Sequence, residues 1–404
     1  MNFKHWKRNY GILLAGEAVS VLTSSILQMA LIWHLTATTG SALVLSAASL
    51  AGFLPNAVLG MVAGALVDRI SRKAAMIGAD LFIAGVSLVL VFAAMGGELP
   101  IWLILAVLAV RSVGTAFHMP AISAATPLLV PAEELTRCAG YSHSLQTIGY
   151  IAGTAIAGVL YPVWSISGMV ALDVAGAVLA SLTVAAIKIP GVEKQSGAIS
   201  GSVLKEMKEG YLVLRKEKSL FAILWTAAVF MILYSPINAL FPLMSMGHFK
   251  GTTVHASLAE IAFSVGMLAG GVFIGVHGGF RRRGIGIPFS VVLIGLPICL
   301  SGLLPSGGFW WFALFCVIMG LSVPLYNAPT TALYQERIAP EYLGRVFGLY
   351  GSICSMAMPV GLVLSGAFAD VVGVPEWFFI TGVLCLLLSA VMFLMPSIRE
   401  IDAK

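Results

Sequence analysis

Five ionisable side chains lie inside long apolar stretches of this chain: Glu17, Asp80, Arg111, Asp173 and Glu260. A charge at the centre of a bilayer costs roughly 3 kcal/mol on insertion scales, so each needs a partner, water or a transport role. Their neighbours are not random. Glu17, Ser20, Ser24 and Gln28 are spaced by three, four and four residues, which places them on one narrow helical face directed at a polar cavity. Arg111, Thr115 and His118 repeat the pattern, as do His143, Thr147, Tyr150 and Thr154. Arg111 is permanently charged and must be paired or hydrogen-bonded, so a pairing and tuning role fits it better than contact with a cation. Asp173 can take up a proton or can be a packing residue bonded to another helix. His118 and His143 read as hydrogen-bond donors between helices or as proton relays.

The elements that carry these residues follow from composition. Of 404 residues, 59% are hydrophobic and only 10% are charged, against about 25% charged in an ordinary soluble domain. A soluble enzyme, a nucleic-acid-binding module and a disordered chain are excluded on that ground. The five cysteines have neither metal nor redox spacing and read as small core-filling hydrophobes, so neither metal nor cofactor is expected. The apolar run after Tyr10 is too long for a signal peptide core and is expected to remain as a span.

A membrane helix needs about 20 apolar residues. Twelve stretches qualify, at 10–34, 41–67, 74–95, 100–126, 138–161, 167–188, 220–244, 256–277, 285–304, 308–333, 346–369 and 376–395. The expected fold is an all-α membrane protein with twelve transmembrane helices in two six-helix bundles, residues 1–188 and 219–404. Residues 189–218 form a basic linker in which Val203 to Arg215 reads as a short amphipathic helix. With the N-terminus placed in the cytoplasm, all but two of the 23 basic residues fall on that side, the exceptions being Arg111 and Lys250. The positive-inside rule therefore predicts a multi-pass protein with both termini cytoplasmic. A shift of 208 residues superposes Glu133, Leu135, Arg137, Gly140, Ser144, Gly153 and Gly158 on Glu341, Leu343, Arg345, Gly348, Ser352, Gly361 and Gly366. Parallel repeats of this kind point to a transporter with its substrate site near the midplane.

Between spans 2 and 3 the chain reads Gly64-Ala-Leu-Val-Asp68-Arg69-Ile-Ser-Arg72-Lys73. An acid at a helix exit followed by three cations on a tight turn can pin one helix end against another in one conformer and release it in the next. The plainer alternative is topological anchoring by positive charge. Asp80, a few residues inside span 3, reads as a gate partner for these basic residues, and Arg345 is expected to belong to the same cytoplasmic gate.

This string resembles the signature loop of the major facilitator superfamily, G-x-x-x-D-R-x-x-R-[RK], at every position. The segments LTATTGSALVLSAASLAGFLP (35–55), RSVGTAFHMPA (111–121), TPLLVPAEELTRCAGYSHSLQ (126–146), PINALFPLMSM (236–246) and EYLGRVFGLYGSI (341–353) are similar to Mef-type macrolide efflux proteins. The resemblance implies proton-driven export of macrolides by a monomer in the bacterial cytoplasmic membrane, in contact with lipid and with no nucleic acid. It also implies that spans 1, 4, 7 and 10 line the cavity, adding Tyr234, Asn238, Tyr326, Asn327 and Thr330 to Glu17, Ser20, Ser24, Gln28, Thr115 and His118. Glu17 is then the expected proton carrier, exchanging a proton for a bulky amphipathic cation; Asp173 is the second choice. No Walker A string is present, so ATP hydrolysis in this chain is not expected. Export of other amphipathic drugs, nutrient import and lipid translocation are the competing functions, and none makes the chain an enzyme.

Overall fold

Long uncharged runs satisfy their backbone polar groups in lipid only as helices, and the computed structural model consists of them. It describes residues 5–67, 70–95, 99–189, 203–278, 280, 282–399 and 401–403. Among these, no strand occurs. The long helices are α1 (Trp6–Thr39), α2 (Ala42–Val67), α3 (Arg72–Met95), α4 (Ile101–Leu129), α5 (Leu135–Leu160) and α6 (Ile166–Ala186). The chain continues through α7 (Val203–Lys216), α8 (Lys218–Pro242), α9 (Thr253–His277), α10 (Arg283–Gly302), α11 (Phe309–Arg337), α12 (Pro340–Val372) and α13 (Val374–Leu394). Each of the twelve expected spans coincides with one helix, and α7 is the amphipathic segment.

Among the described residues, eleven helices are long and apolar enough to cross a membrane by length and composition. The twelfth, α5, falls short because its first half carries Thr136, Arg137, Ser142, His143, Ser144, Gln146 and Thr147. Several helices overrun the apolar runs, as α11 does to Arg337 and α12 does from Pro340. Polar ends continue the hydrogen-bond ladder where the hydrocarbon boundary no longer constrains them.

The chain divides into two compact units, Met1–Thr39 with Ala47–Ser196, and Gly40–Ser46 with Gly197–Lys404. In the first, α1 packs on α5 and α6, and α3 packs on α4 and α6. In the second, α8 packs on α12 and α13, and α10 packs on α11 and α13. These four pairings correspond, as two copies of one repeat require. A glycine shows why: a Cβ on Gly153 of α5 would press on the Leu22 carbonyl of α1, and one on Gly361 of α12 would press on the Ile232 carbonyl of α8. These glycines are 208 residues apart, and each lets two helix backbones approach closely.

One apolar cluster in each unit joins the helix ends nearest the linker. In the first it includes Leu13, Met76, Leu129 and Val184, closed by Tyr10, whose hydroxyl donates to the Cys138 carbonyl at 2.6 Å. In the second it includes Leu220, Val291, Leu349 and Met392, with the Tyr334 hydroxyl donating to the Leu220 carbonyl at 3.0 Å. Helix α7 adds Leu214 to that second cluster and packs on α12, where Glu209 meets Arg345 at 2.9 Å. All five cysteines are buried and free.

Candidate functional site

The ionisable residues of the first unit form two buried groups. The first centres on Asp173 of α6, which is 1% exposed. Arg111 of α4 pairs with it at 2.5 Å and also donates to Ser87 of α3. Ser24 of α1 donates to the other carboxylate oxygen at 2.7 Å. One carboxylate thus ties α1, α3, α4 and α6 together through charge-assisted bonds. Of the two roles open to Asp173, this geometry is that of the packing residue. Arg111 is paired, as its fixed charge requires. The Ser24 hydroxyl, expected on the cavity face, is donated to Asp173. Thr115 donates back to the Arg111 carbonyl at 3.3 Å, a bond within its own helix.

The second group is nearer the linker end. Asp80 of α3 and His118 of α4 are both buried, with Nε2 of His118 3.0 Å from a carboxylate oxygen of Asp80. Glu17 of α1 lies within electrostatic reach of both. Asp80 was expected to serve the basic residues of the α2–α3 loop; its partner is His118, because the Asp80 side of α3 faces α4. Glu17, Ser20 and Gln28 are each half-buried.

Asp68 and Arg69 lie outside the described residues, and Gly64 and Arg72 are helical residues near the end of α2 and at the start of α3. Lys73 is not aimed along the loop: its ammonium donates to the carbonyls of Ala185 and Ile187 at 2.6 and 2.9 Å. It caps the C-terminus of α6, where unsatisfied carbonyls and the helix dipole attract a cation. Arg345 holds Glu209, and its guanidinium also lies over the Tyr342 ring.

In the second unit Tyr234 of α8 stacks on Phe230 with centroids 5.4 Å apart, and Tyr326 of α11 stacks on the same ring at 6.3 Å. These rings, with Asn327, Ser290 and Ser322, line a cavity of about 90 Å³. Asn238 is exposed, whereas Thr330 is buried. Glu260 lies within electrostatic reach of Tyr234. Phe230, Ser290 and Ser87 were missed from sequence; Phe230 was recoverable, since it precedes Tyr234 by one helical turn. Asp370 of α12 was also missed. It accepts from Ser41 Oγ at 2.7 Å and from the amides of Ala42 and Leu43 at 2.5 and 3.1 Å, capping the first turn of α2 within the second unit.

Twelve membrane helices, a repeated pairing scheme and ionisable groups buried among them define a polytopic membrane transporter. The sequence pattern of the Major Facilitator Superfamily matches residues 13–361 and again 256–403, and the chain belongs to that family. It is 52% identical over 402 residues to macrolide efflux protein A of Streptococcus pyogenes, covering 100% of this chain and 99% of that protein. It is 53% identical over 323 residues to macrolide efflux protein A of Enterococcus faecalis, covering 80% of this chain and all of that one. Multidrug efflux pump Tap of Mycolicibacterium fortuitum is 29% identical over 388 residues, with 92% and 91% of the two chains covered. Among solved structures, the nucleoside transporter NupG superposes with a TM-score of 0.71 at 12% identity, covering 98% of this chain and 99% of that one. That last likeness concerns the fold alone.

Proposed function

We propose that this chain exports macrolide antibiotics across a bacterial cytoplasmic membrane, by alternating access and in exchange for protons. The observation that carries the substrate assignment is the 52% identity over 402 residues to macrolide efflux protein A. The placement of basic residues supports cytoplasmic termini, and the protein works as a monomer in the lipid bilayer. The loop from Gly64 through Asp68, Arg69 and Arg72 serves as the cytoplasmic gate.

Glu17 carries the exchanged proton. It is a half-buried carboxylate on a polar face of α1 with Ser20 and Gln28, where protonated acid and drug ammonium are mutually exclusive. Occupation by one then weakens the other reciprocally. Asp173 is instead engaged by Arg111 and Ser24. In the second unit the faces of Phe230, Tyr234 and Tyr326 supply an aromatic wall for an apolar or cationic part of the drug. At about 90 Å³ the cavity beside them admits a substituent and not a whole macrolide.

Expression in a host lacking its own drug pumps tests the reading. Macrolide tolerance should rise and accumulation of labelled macrolide should fall, and a protonophore should abolish both effects. An unchanged macrolide profile, or efflux indifferent to the protonophore, removes the substrate or the coupling ion respectively.

A further inference from the structure

Asp80 and His118 form a buried side-chain contact that proton exchange at Glu17 alone does not use. The structure gives three facts about them. The two side chains meet at 3.0 Å with little exposure, 11% for the imidazole and 5% for the carboxylate. Glu17 is close enough for the charges of both to act on it. Among the described residues, Asp80 from α3 and Glu17 from α1 are acids near His118. Arg111, seven residues earlier on α4, is engaged with Asp173.

Two carboxylates close together in a poorly solvated site cannot both ionise cheaply; one retains its proton over a wide pH range. A cation between them removes that conflict. We propose that His118 is the charge-balancing residue of the exchange, its imidazolium holding Asp80 as a carboxylate so that Glu17 alone binds and releases the transported proton. His118 is a positioning residue in this scheme and does not touch the drug. With His118 protonated and both acids ionised, the cluster carries one net negative charge, which matches one drug ammonium. When the drug leaves, one proton from water binds a Glu17 carboxylate oxygen and the cluster becomes neutral. When the next drug arrives, that proton returns to water. One cation replaces another, and the ion pair of Asp80 and His118 stays fixed throughout.

This inference rests on proton antiport through Glu17, and the test separates the two. Uptake of a radiolabelled, tertiary-amine macrolide is measured in inside-out vesicles as a function of pH, alongside drug–drug exchange without a pH gradient. For His118→Gln the pH of half-maximal uptake should rise by about one unit, the low end of the effect of a close charge, with drug–drug exchange retained. The double variant Asp80→Asn with His118→Gln removes both charges and should bring the midpoint back to that of the wild type. A structural role for His118 lowers both activities and moves neither midpoint. If wild-type uptake ignores the pH gradient, antiport fails and the inference with it. If wild-type uptake follows the gradient and His118→Gln superposes on it, only the role of His118 is overturned. Should His118→Gln not insert, ¹⁵N spectra of His118 in the wild-type protein decide. Both ring nitrogens protonated through the transport pH range support the scheme, and a neutral tautomer contradicts it.

Discussion

Arg111 and Asp173 meet at 2.5 Å between α4 and α6, and the carboxylate also takes the Ser24 hydroxyl of α1. An ion pair this deep in a helical bundle is a structural knot. Removing one partner strands a buried charge, at a cost of about 3–5 kcal/mol. Asp173→Ala should therefore lower the thermal midpoint of the detergent-solubilised protein sharply. The double variant Arg111→Met with Asp173→Leu, which leaves no charge behind, should recover most of the loss. A single variant as stable as wild type would show that the pair holds nothing together.

Lys73 belongs to the signature string, yet its ammonium is committed to the last carbonyls of α6. A cation at a helix C-terminus contributes about 0.3–1 kcal/mol. Lys73→Met should cost stability of that order and leave most transport intact. Asp68→Asn should do the opposite, inserting normally and transporting poorly. Efflux in whole cells together with a melting curve for each variant checks both, and normal efflux from Asp68→Asn would remove that acid from the gate.

The glycines of the internal repeat divide into two kinds. At Gly361 a Cβ would run into the Ile232 carbonyl, whereas at Gly348 it would meet nothing within 4 Å. Gly361→Ala should force α12 away from α8 and destabilise the protein by about 1–3 kcal/mol, the usual cost of overpacking. Gly348→Ala should be neutral or stabilise by up to about 1 kcal/mol through reduced backbone freedom. Equal melting temperatures for the two variants would contradict the close approach of the helix pair.

The spans were legible because they are set by a one-dimensional quantity, apolar length between charges. All twelve fall on helices, including α5, which was read from the stretch 138–161 although its first half is polar. Partnerships were less legible. That Arg111 must be paired follows from its charge alone, but which acid it chooses depends on helix rotation, which spacing along one helix does not fix. Asp80 was assigned to the loop nearest in sequence, whereas the fold turns it toward His118, 38 positions away. Ser24 shares a face with Glu17, Ser20 and Gln28, and it alone is drawn out of that face by Asp173. The cap of Asp370 on α2 links residues more than 300 positions apart, and no local pattern announces it.

The account depends above all on Glu17. Inside-out vesicles bearing Glu17→Gln, loaded and assayed as for the wild type, give the most direct reading: macrolide uptake driven by an imposed pH gradient, beside macrolide exchange with no gradient. The predicted result is gradient-driven accumulation lost at least tenfold, with the exchange that remains weaker than in the wild type and independent of pH. Gradient-driven accumulation at the wild-type rate in Glu17→Gln would contradict the proposal that this carboxylate couples the proton to the drug.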